Sequence, residues 1–363
     1  MIASLVMAVT PPKAIKAGLD RVRGKARRSL RRSAMRILDM DRKSWIVPRP
    51  NPSDPELLPE FRLFAVLGTW MEEDIVEATV QNALTQGVEA VYLVDNNSSD
   101  QTVERAVAAG ATLVESFKTR SYDERLRILL MNAVVARASL KSDAKYVWWL
   151  WLDADEFPEG PDGLTIREYL SGLDRSFRLV GSSYFNHYPT EKPHYISGFH
   201  PLDFQPDCSR YLCQQAYFCG QAHYKHPLQR FDAGTPFLAA SVGFHTATTQ
   251  PNRVLAEPDG GIVTHHVPYR EEGFTRARLE RLTGTTTRNA INDSIGNTGI
   301  RKRFESLEAV YSGRWSEVDN QVLRVTQLGV ELHRWPDLDK LRRWYDLEDI
   351  EAAKADWRIE RAS

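Results

Sequence analysis

The chain is poor in cysteine, has no glycine-rich phosphate loop, and has no apolar run long enough to cross a bilayer. Its three cysteines, Cys208, Cys213 and Cys219 in 363 residues, are an odd number and exclude a disulfide framework. Their spacing, with His223 and His226 close behind, lacks the C-x2-C pairs of structural zinc sites, so buried thiols are the expectation. No stretch approaches the ~18 apolar residues of a membrane span, and the opening residues 1–9 lack the basic segment of a signal peptide. Neither G-x-G-x-x-G nor G-x-x-x-x-G-K-[ST] occurs. A bound phosphate would therefore need a metal, rather than a helix N-terminus, to meet much of its charge. No internal repeat is visible. A cytoplasmic protein, or one held peripherally at the inner face of the cell membrane, is the expectation.

What is present is ordinary in bulk and uneven in detail. Apolar residues make up 42% and charged residues 26% of the chain, as in soluble globular proteins. The net charge of −1 hides an asymmetry: residues 1–43 hold 12 Lys/Arg against 3 Asp/Glu, net +9, which leaves −10 on the remainder. Within 14–40, Ile15, Leu19, Val22, Ala26, Leu30, Ala34 and Ile37 recur at helical spacing among basic residues. Such a helix suits an anionic membrane surface, and equally a solvated helix packed on the protein's own body. Nucleic-acid binding is not expected, since the positive charge is confined to this segment. The division expected is 1–46 basic extension, 47–60 proline-rich linker, 61–270 catalytic domain and 271–363 helical extension. Within 61–270, a nucleotide half would run to about 160 and an acceptor half from 161.

From 61 onward, strand and helix alternate with short connections. Strand candidates are 61–68, 88–94, 111–117 and 146–152. Helices are expected from a Thr69–Glu72 capping box to Gln86, over 101–109 and over 123–138. Gly87 and Gly110 are placed to end the first two helices. This is the pattern of a mainly parallel sheet with helices on both faces. Further strands are expected over 178–185 and 261–267, with helix beyond 271, where Trp315, Trp335, Trp344 and Trp357 would anchor the tail.

The strand at 146–152, Tyr-Val-Trp-Trp-Leu-Trp-Leu, ends in Asp153-Ala154-Asp155-Glu156. Charge is costly to bury, so these carboxylates belong at the strand's carboxyl edge, where open α/β sheets bind ligands. Two aspartates one residue apart offer hard oxygen ligands to Mg²⁺ or Mn²⁺; a solvated acidic turn has the same sequence. A second polar loop, Asp95-Asn96-Asn97-Ser98-Ser99-Asp100, leaves a neighbouring strand at the same edge. Ile262-Val263-Thr264-His265-His266 ends another strand in two histidines, of which one can face a metal; His265 is preferred, and His245 is a weaker candidate. Lys225-His226-Pro227-Leu228-Gln229-Arg230 groups cations suited to a diphosphate or an anionic acceptor, and would otherwise be a solvated basic turn.

Glu72, Gly87-Val88, Val94-Asp95-Asn96-Asn97-Ser98-Ser99-Asp100 and Leu152-Asp153-Ala154-Asp155-Glu156-Phe157 together resemble a family 2-type glycosyltransferase of the GT-A fold, in its bacterial DNxSSD…DADEF branch. The resemblance covers 61 to about 160 with specific motifs and 180–270 more loosely. It implies a Rossmann-type mixed sheet and transfer of a hexose-like sugar, inverting, from a UDP- or GDP-sugar to a glycan or lipid-linked hydroxyl in cell-surface polysaccharide or glycolipid synthesis. Glu72, Asp95, Asn97, Asp100 and Asp153 would contact the nucleotide, with Asp95 reading the base. Asp153, Asp155 and His265 would hold Mn²⁺ or Mg²⁺, and Lys225, His226 and Arg230 would face the diphosphate or acceptor. Candidate bases are Glu191, Asp232 and Asp259, with Glu257 a further substitute for an acidic pair this chain lacks. The family often places asparagine before the acidic pair of the first loop, where this chain has Met71. The rival readings are a sugar nucleotidyltransferase, for which one glycine in 65–70 is too few, and a catalytically silent carbohydrate- or membrane-binding adaptor.

Overall fold

The computed structural model describes residues 60–119, 123–210, 225–232, 238–240, 242–244, 247–248, 261–283, 304–318 and 333–334. The basic extension and the proline-rich linker as far as residue 59 lie outside them, as do Cys213, Cys219, His223, His245, Glu257, Asp259 and three of the four tail tryptophans. Among the described residues no helix is long and apolar enough to cross a membrane.

The alternation expected from 61 onward is present. It runs β1 Phe61–Thr69, α1 Val76–Thr85, β2 Ala90–Asp95, α2 Thr102–Ala108, β3 Ala111–Ser116, α3 Glu124–Ser139 and β4 Tyr146–Asp153. These four strands are parallel, in the spatial order β4-β1-β2-β3. Successive side chains of a strand face opposite ways, and both faces are covered. Leu63, Ala65 and Leu67 of β1 join Trp148, Leu150 and Leu152 of β4 in one core with Val76, Val80 and Ala83 of α1. On the other face, Phe64, Tyr92 and Trp149 pack ring to ring at 5.5–5.6 Å, and the Trp149 indole donates to Ser139 Oγ of α3 at 2.8 Å. Gly87 ends α1 at φ 87°, a conformation in which a side chain is strained.

Beyond β4 the sheet becomes mixed. β5 Glu156–Glu159 and α4 Ile166–Gly172 lead to β6 Leu179–His187 and β7 Asp207–Arg210. β8 Lys225–Asp232, the short strands β9 Ala239–Ala240 and β10 Ala247–Thr248, and β11 Ile262–His266 follow. The series ends with α5 Glu272–Thr283, α6 Leu307–Tyr311 and β12 His333–Arg334. β8 runs antiparallel to β4 and β6 antiparallel to β8, so β6 runs with β4, and β11 is parallel to β6. The ends of β1, β2, β4, β6 and β11 therefore share one edge. The tail docks through a small second core of Tyr188, Tyr269, Leu279, Leu307 and Val310, against which Trp315 stacks edge-on to Tyr188. Cys208 is a buried free thiol, pushed up to about 12 by desolvation.

Two local expectations fail. No Thr69–Glu72 capping box forms. β1 continues through Thr69, α1 starts only at Val76 with no side-chain cap, and both capping groups are drawn elsewhere, as described below. The segment 225–230 is not a basic turn but the buried strand β8.

The packing around Trp149 gives a direct stability test. Trp149→Ala should cost about 3–5 kcal/mol. Trp149→Phe, which mainly removes the indole donor to Ser139, should cost about 1–2 kcal/mol. Urea midpoints check both, and equal losses for the two variants would contradict the packing described.

Candidate active site

The crevice at the shared edge begins with two loops stitched together. Asp95, at the end of β2, accepts from Thr69 Oγ1 at 2.9 Å, from the Ser98 amide at 2.8 Å and from Ser98 Oγ at 2.7 Å. Asp100 accepts from Thr102 Oγ1 at 2.5 Å and from the Thr102 amide at 3.1 Å. Thr102 Oγ1 in turn accepts from the Glu72 amide at 2.8 Å, and Ser98 Oγ from the Met71 amide at 2.9 Å. Asp95 and Asp100 thus set the shape of the loops, which leaves Asn97 exposed at φ 51°. Met71 lies at φ 59°, a region in which asparagine is several-fold favoured over methionine.

At the acidic end of β4, Asp155 and Glu156 are buried and Asp153 half-buried, and Asp153 and Asp155 have separate cations. Asp153 accepts from Arg127 Nη1 at 2.7 Å and from Lys225 Nζ at 2.9 Å. Arg127 reaches it from α3 by passing Gly68, where a Cβ would stand 2.7 Å from Nη1. Arg127 is also paired with Glu124 at 2.7 Å. Lys225 also contacts Glu156, which accepts from the Tyr184 hydroxyl at 2.8 Å. Asp155 accepts from Arg278 Nη2 of α5 at 2.7 Å and lies 3.4 Å from His266 Nε2. Arg278 Nε reaches Glu72 at 3.3 Å, and Arg270 joins Glu72 at 2.8 Å to Asp74 at 2.7 Å.

Burial would raise all three carboxylates of the β4 turn, and their neighbours decide the outcome. Against desolvation, Lys225 and Arg127 hold Asp153 below the usual range. Arg278 and His266 do the same for Asp155. Glu156 goes the other way: desolvation, with Asp153 and Asp155 adding to it against Lys225, pushes it up to about 7. Lys225 itself is raised, its burial outweighed by Asp153 and Glu156.

The structure separates the other expected residues. His266, not His265, faces Asp155. Neighbouring strand residues point oppositely, and His265 turns to His187 Nε2 at 2.8 Å and Glu159 at 3.2 Å. Lys225 lies at the acidic turn, but Arg230 and Asp232 do not. Because β8 is antiparallel to β4, they pair with Trp148 and Tyr146 at the opposite end, roughly 20 Å away at ~3.3 Å per residue. There Arg230 bonds Asp232 at 2.9 Å and stacks over Tyr146. His226 is wholly buried in β8, and Glu191 is exposed in the loop after β6. Arg127, Arg270 and Arg278 were not expected. Arg278 lies on α5, whereas Arg270 precedes that helix in the segment after β11, so no single helical period links the two.

Among the described residues, no three His, Cys, Asp or Glu side chains converge as a ligand set. Asp155 and His266 do converge, and a carboxylate with an imidazole fits a Mn²⁺- or Mg²⁺-class ion completed by substrate phosphates. Asp153, with an oxygen on each of two cations, does not join them.

Two predictions follow from this electrostatics and backbone. A carboxyl raised above its ordinary 4.5 favours the folded state when neutral. Glu156 thus contributes stability fully below about pH 4.5, and that contribution is lost as pH rises through about 7. Over this window buried His187, held well below the usual imidazole range by desolvation, contributes the opposite slope, so the difference is the test. Wild-type stability in urea minus that of Glu156→Gln should fall by on the order of 3 kcal/mol as pH rises from about 4.5 to 7, and parallel curves would refute it. Met71→Asn should relieve the positive φ and raise stability by about 0.5–1 kcal/mol, whereas a lowered midpoint would count against strain there.

No protein-family model matches the chain, and neither does any curated protein. Solved structures of glucosyl-3-phosphoglycerate synthase from Mycobacterium tuberculosis are similar over part of it. The complex with Mn²⁺, uridine-diphosphate-glucose and phosphoglyceric acid aligns at 22% identity over 34% of this chain and 44% of that one, with a TM-score of 0.24. The complex with phosphoglyceric acid aligns at 20% identity over 39% and 52%, with a TM-score of 0.24. The chain thus spans about half the length of these solved chains, and the functional reading rests on the site's own geometry.

Proposed function

We propose that the chain is a metal-dependent glycosyltransferase that moves a sugar from a nucleoside-diphosphate donor to a hydroxyl of a glycan or lipid-linked acceptor. The observation that carries this reading is the meeting of Asp155 and His266, 3.4 Å apart, beside the polar loop built on Asp95. A divalent ion held by Asp155 and His266 would offset charge developing on the leaving diphosphate. The nucleoside would lie over the 95–100 loop, with Asn97 available for directional hydrogen bonds and Asp95 holding the loop rigid through its three donors. Asp153 serves as a strut: it fixes Arg127 and Lys225 beneath the site and leaves ligand contact to its neighbour. Of the candidate bases, Asp232 lies at the far end of β8, which leaves Glu191, Glu257 and Asp259 for the acceptor hydroxyl. A role in cell-surface polysaccharide or glycolipid synthesis belongs to the same proposal.

One observation favours the adaptor reading. Asp153 and Asp155 are both engaged by protein cations, as in a site built to bind rather than to turn over. Slow hydrolysis of a nucleotide-sugar panel with Mn²⁺ separates the two. The wild type should hydrolyse at least one donor, and Asp155→Asn should lower that rate by about 100-fold or more. An unchanged rate in the variant would remove Asp155 from the chemistry, and no turnover of any donor would favour the adaptor.

A further inference from the structure

α5 brings into the crevice a guanidinium with capacity to spare. Arg278 uses Nη2 on Asp155 and Nε on Glu72, while its Nη1 is buried and has no hydrogen-bond partner among the described residues. The guanidinium is a rigid planar fork, so two engaged nitrogens fix the direction of the third. A buried charged donor without an acceptor is rare in folded proteins and points to a group that fills it. The acceptors that best match the fork are the oxygens of phosphates and carboxylates. Of the nearby carboxylates, Asp153 is engaged by Arg127 and Lys225 through both oxygens. Asp74 is engaged by Arg270 through Oδ1, while its Oδ2 is buried without a hydrogen-bond partner among the described residues and is not bonded to Nη1. Of the other buried cations, Arg270 gives both terminal nitrogens to Glu72 and Asp74 and leaves only Nε without a partner among the described residues, and Arg127 and Lys225 are committed. Arg127 gives two nitrogens to Glu124 and one to Asp153, and Lys225 bridges Asp153 and Glu156.

The position of Arg278 is held from both sides. Leu279, the next residue, is buried in the small core with Tyr188, Tyr269 and Leu307. The Tyr311 hydroxyl donates to the Arg270 carbonyl at 2.7 Å, and Arg281 reaches the Met71 carbonyl at 3.3 Å. The fork therefore needs no reordering to meet a ligand.

We propose that Arg278 binds the diphosphate of the nucleotide donor through Nη1, anchored by Asp155 and Glu72 on its other edge. The inference rests on the glycosyltransferase reading and supplies what the chain lacks in place of a glycine-rich loop, a fixed donor aimed at phosphate. Calorimetric titration of the full chain with UDP and GDP in the presence of Mn²⁺, beside uridine and guanosine, tests it. Arg278→Gln should weaken binding of the preferred diphosphate tenfold or more and leave its nucleoside unchanged. Arg278→Lys, which keeps the charge without the fork, should fall between. Where Arg278→Gln does not fold by circular dichroism, Arg278→Lys decides alone: at least a threefold loss confined to the diphosphate supports the role. A folded variant within twofold of wild type for the diphosphate overturns the role of Arg278 and leaves the donor reading standing. A wild type that binds neither diphosphates nor nucleosides overturns both.

Discussion

The structure depends on the need to neutralise acid at the end of a buried strand. β4 carries Trp148, Trp149 and Trp151 into the centre of the sheet and then delivers the half-buried Asp153 and the buried Asp155 and Glu156. Unpaired, such charges would cost several kcal/mol each. Their partners come from separate parts of the chain: Arg127 from α3, Lys225 from β8, His266 from β11 and Arg278 from α5. The antiparallel half of the sheet and the C-terminal helix are tied to the parallel half at this point.

Ion pairs of this kind add little net stability compared with an apolar core, because each charge loses its water. Their effect here is geometric. Asp153 and Asp155 are one residue apart on the backbone yet have separate cations, so each carboxylate has one orientation. The same division lets neighbouring acids titrate in opposite directions, with Asp155 kept ionised and Glu156 pushed toward neutrality. The second tier, Glu72 with Arg270 and Asp74, extends the lattice under the first loop. It explains why Glu72 does not cap α1.

Much of the first half was legible in the sequence. Apolar runs closed by polar turns mark β1 to β4, the helix expected over 123–138 is α3 with Asp123 as its cap, and the crevice loops follow from strands that stop at charge. β8 was hidden because lysine, histidine and proline at its start imitate a turn, and only burial between β4 and β6 makes that composition a strand. Choosing between His265 and His266 needs the strand's rotation, which the alternation of side chains leaves undetermined. Arg127 and Arg278 were hidden for another reason: on a helix a charge reads as solvated unless the surface it meets is known. Arg278 and Asp155 are 123 positions apart, beyond the reach of any local pattern.

That separation also orders events during synthesis. At about 5–20 residues per second, the acidic turn emerges from the ribosome roughly 6–25 seconds before the helix that bears Arg278. Arg127 precedes the turn, so Asp153 has one cation to hand as β4 forms. Asp155 has none until β11 and α5 follow it. The nascent parallel half-sheet thus keeps Asp155 at its edge in water, since burying it before its cations arrive would be costly. The later segments β11 and α5, and not the strand that carries the acids, set the moment at which the site comes into being.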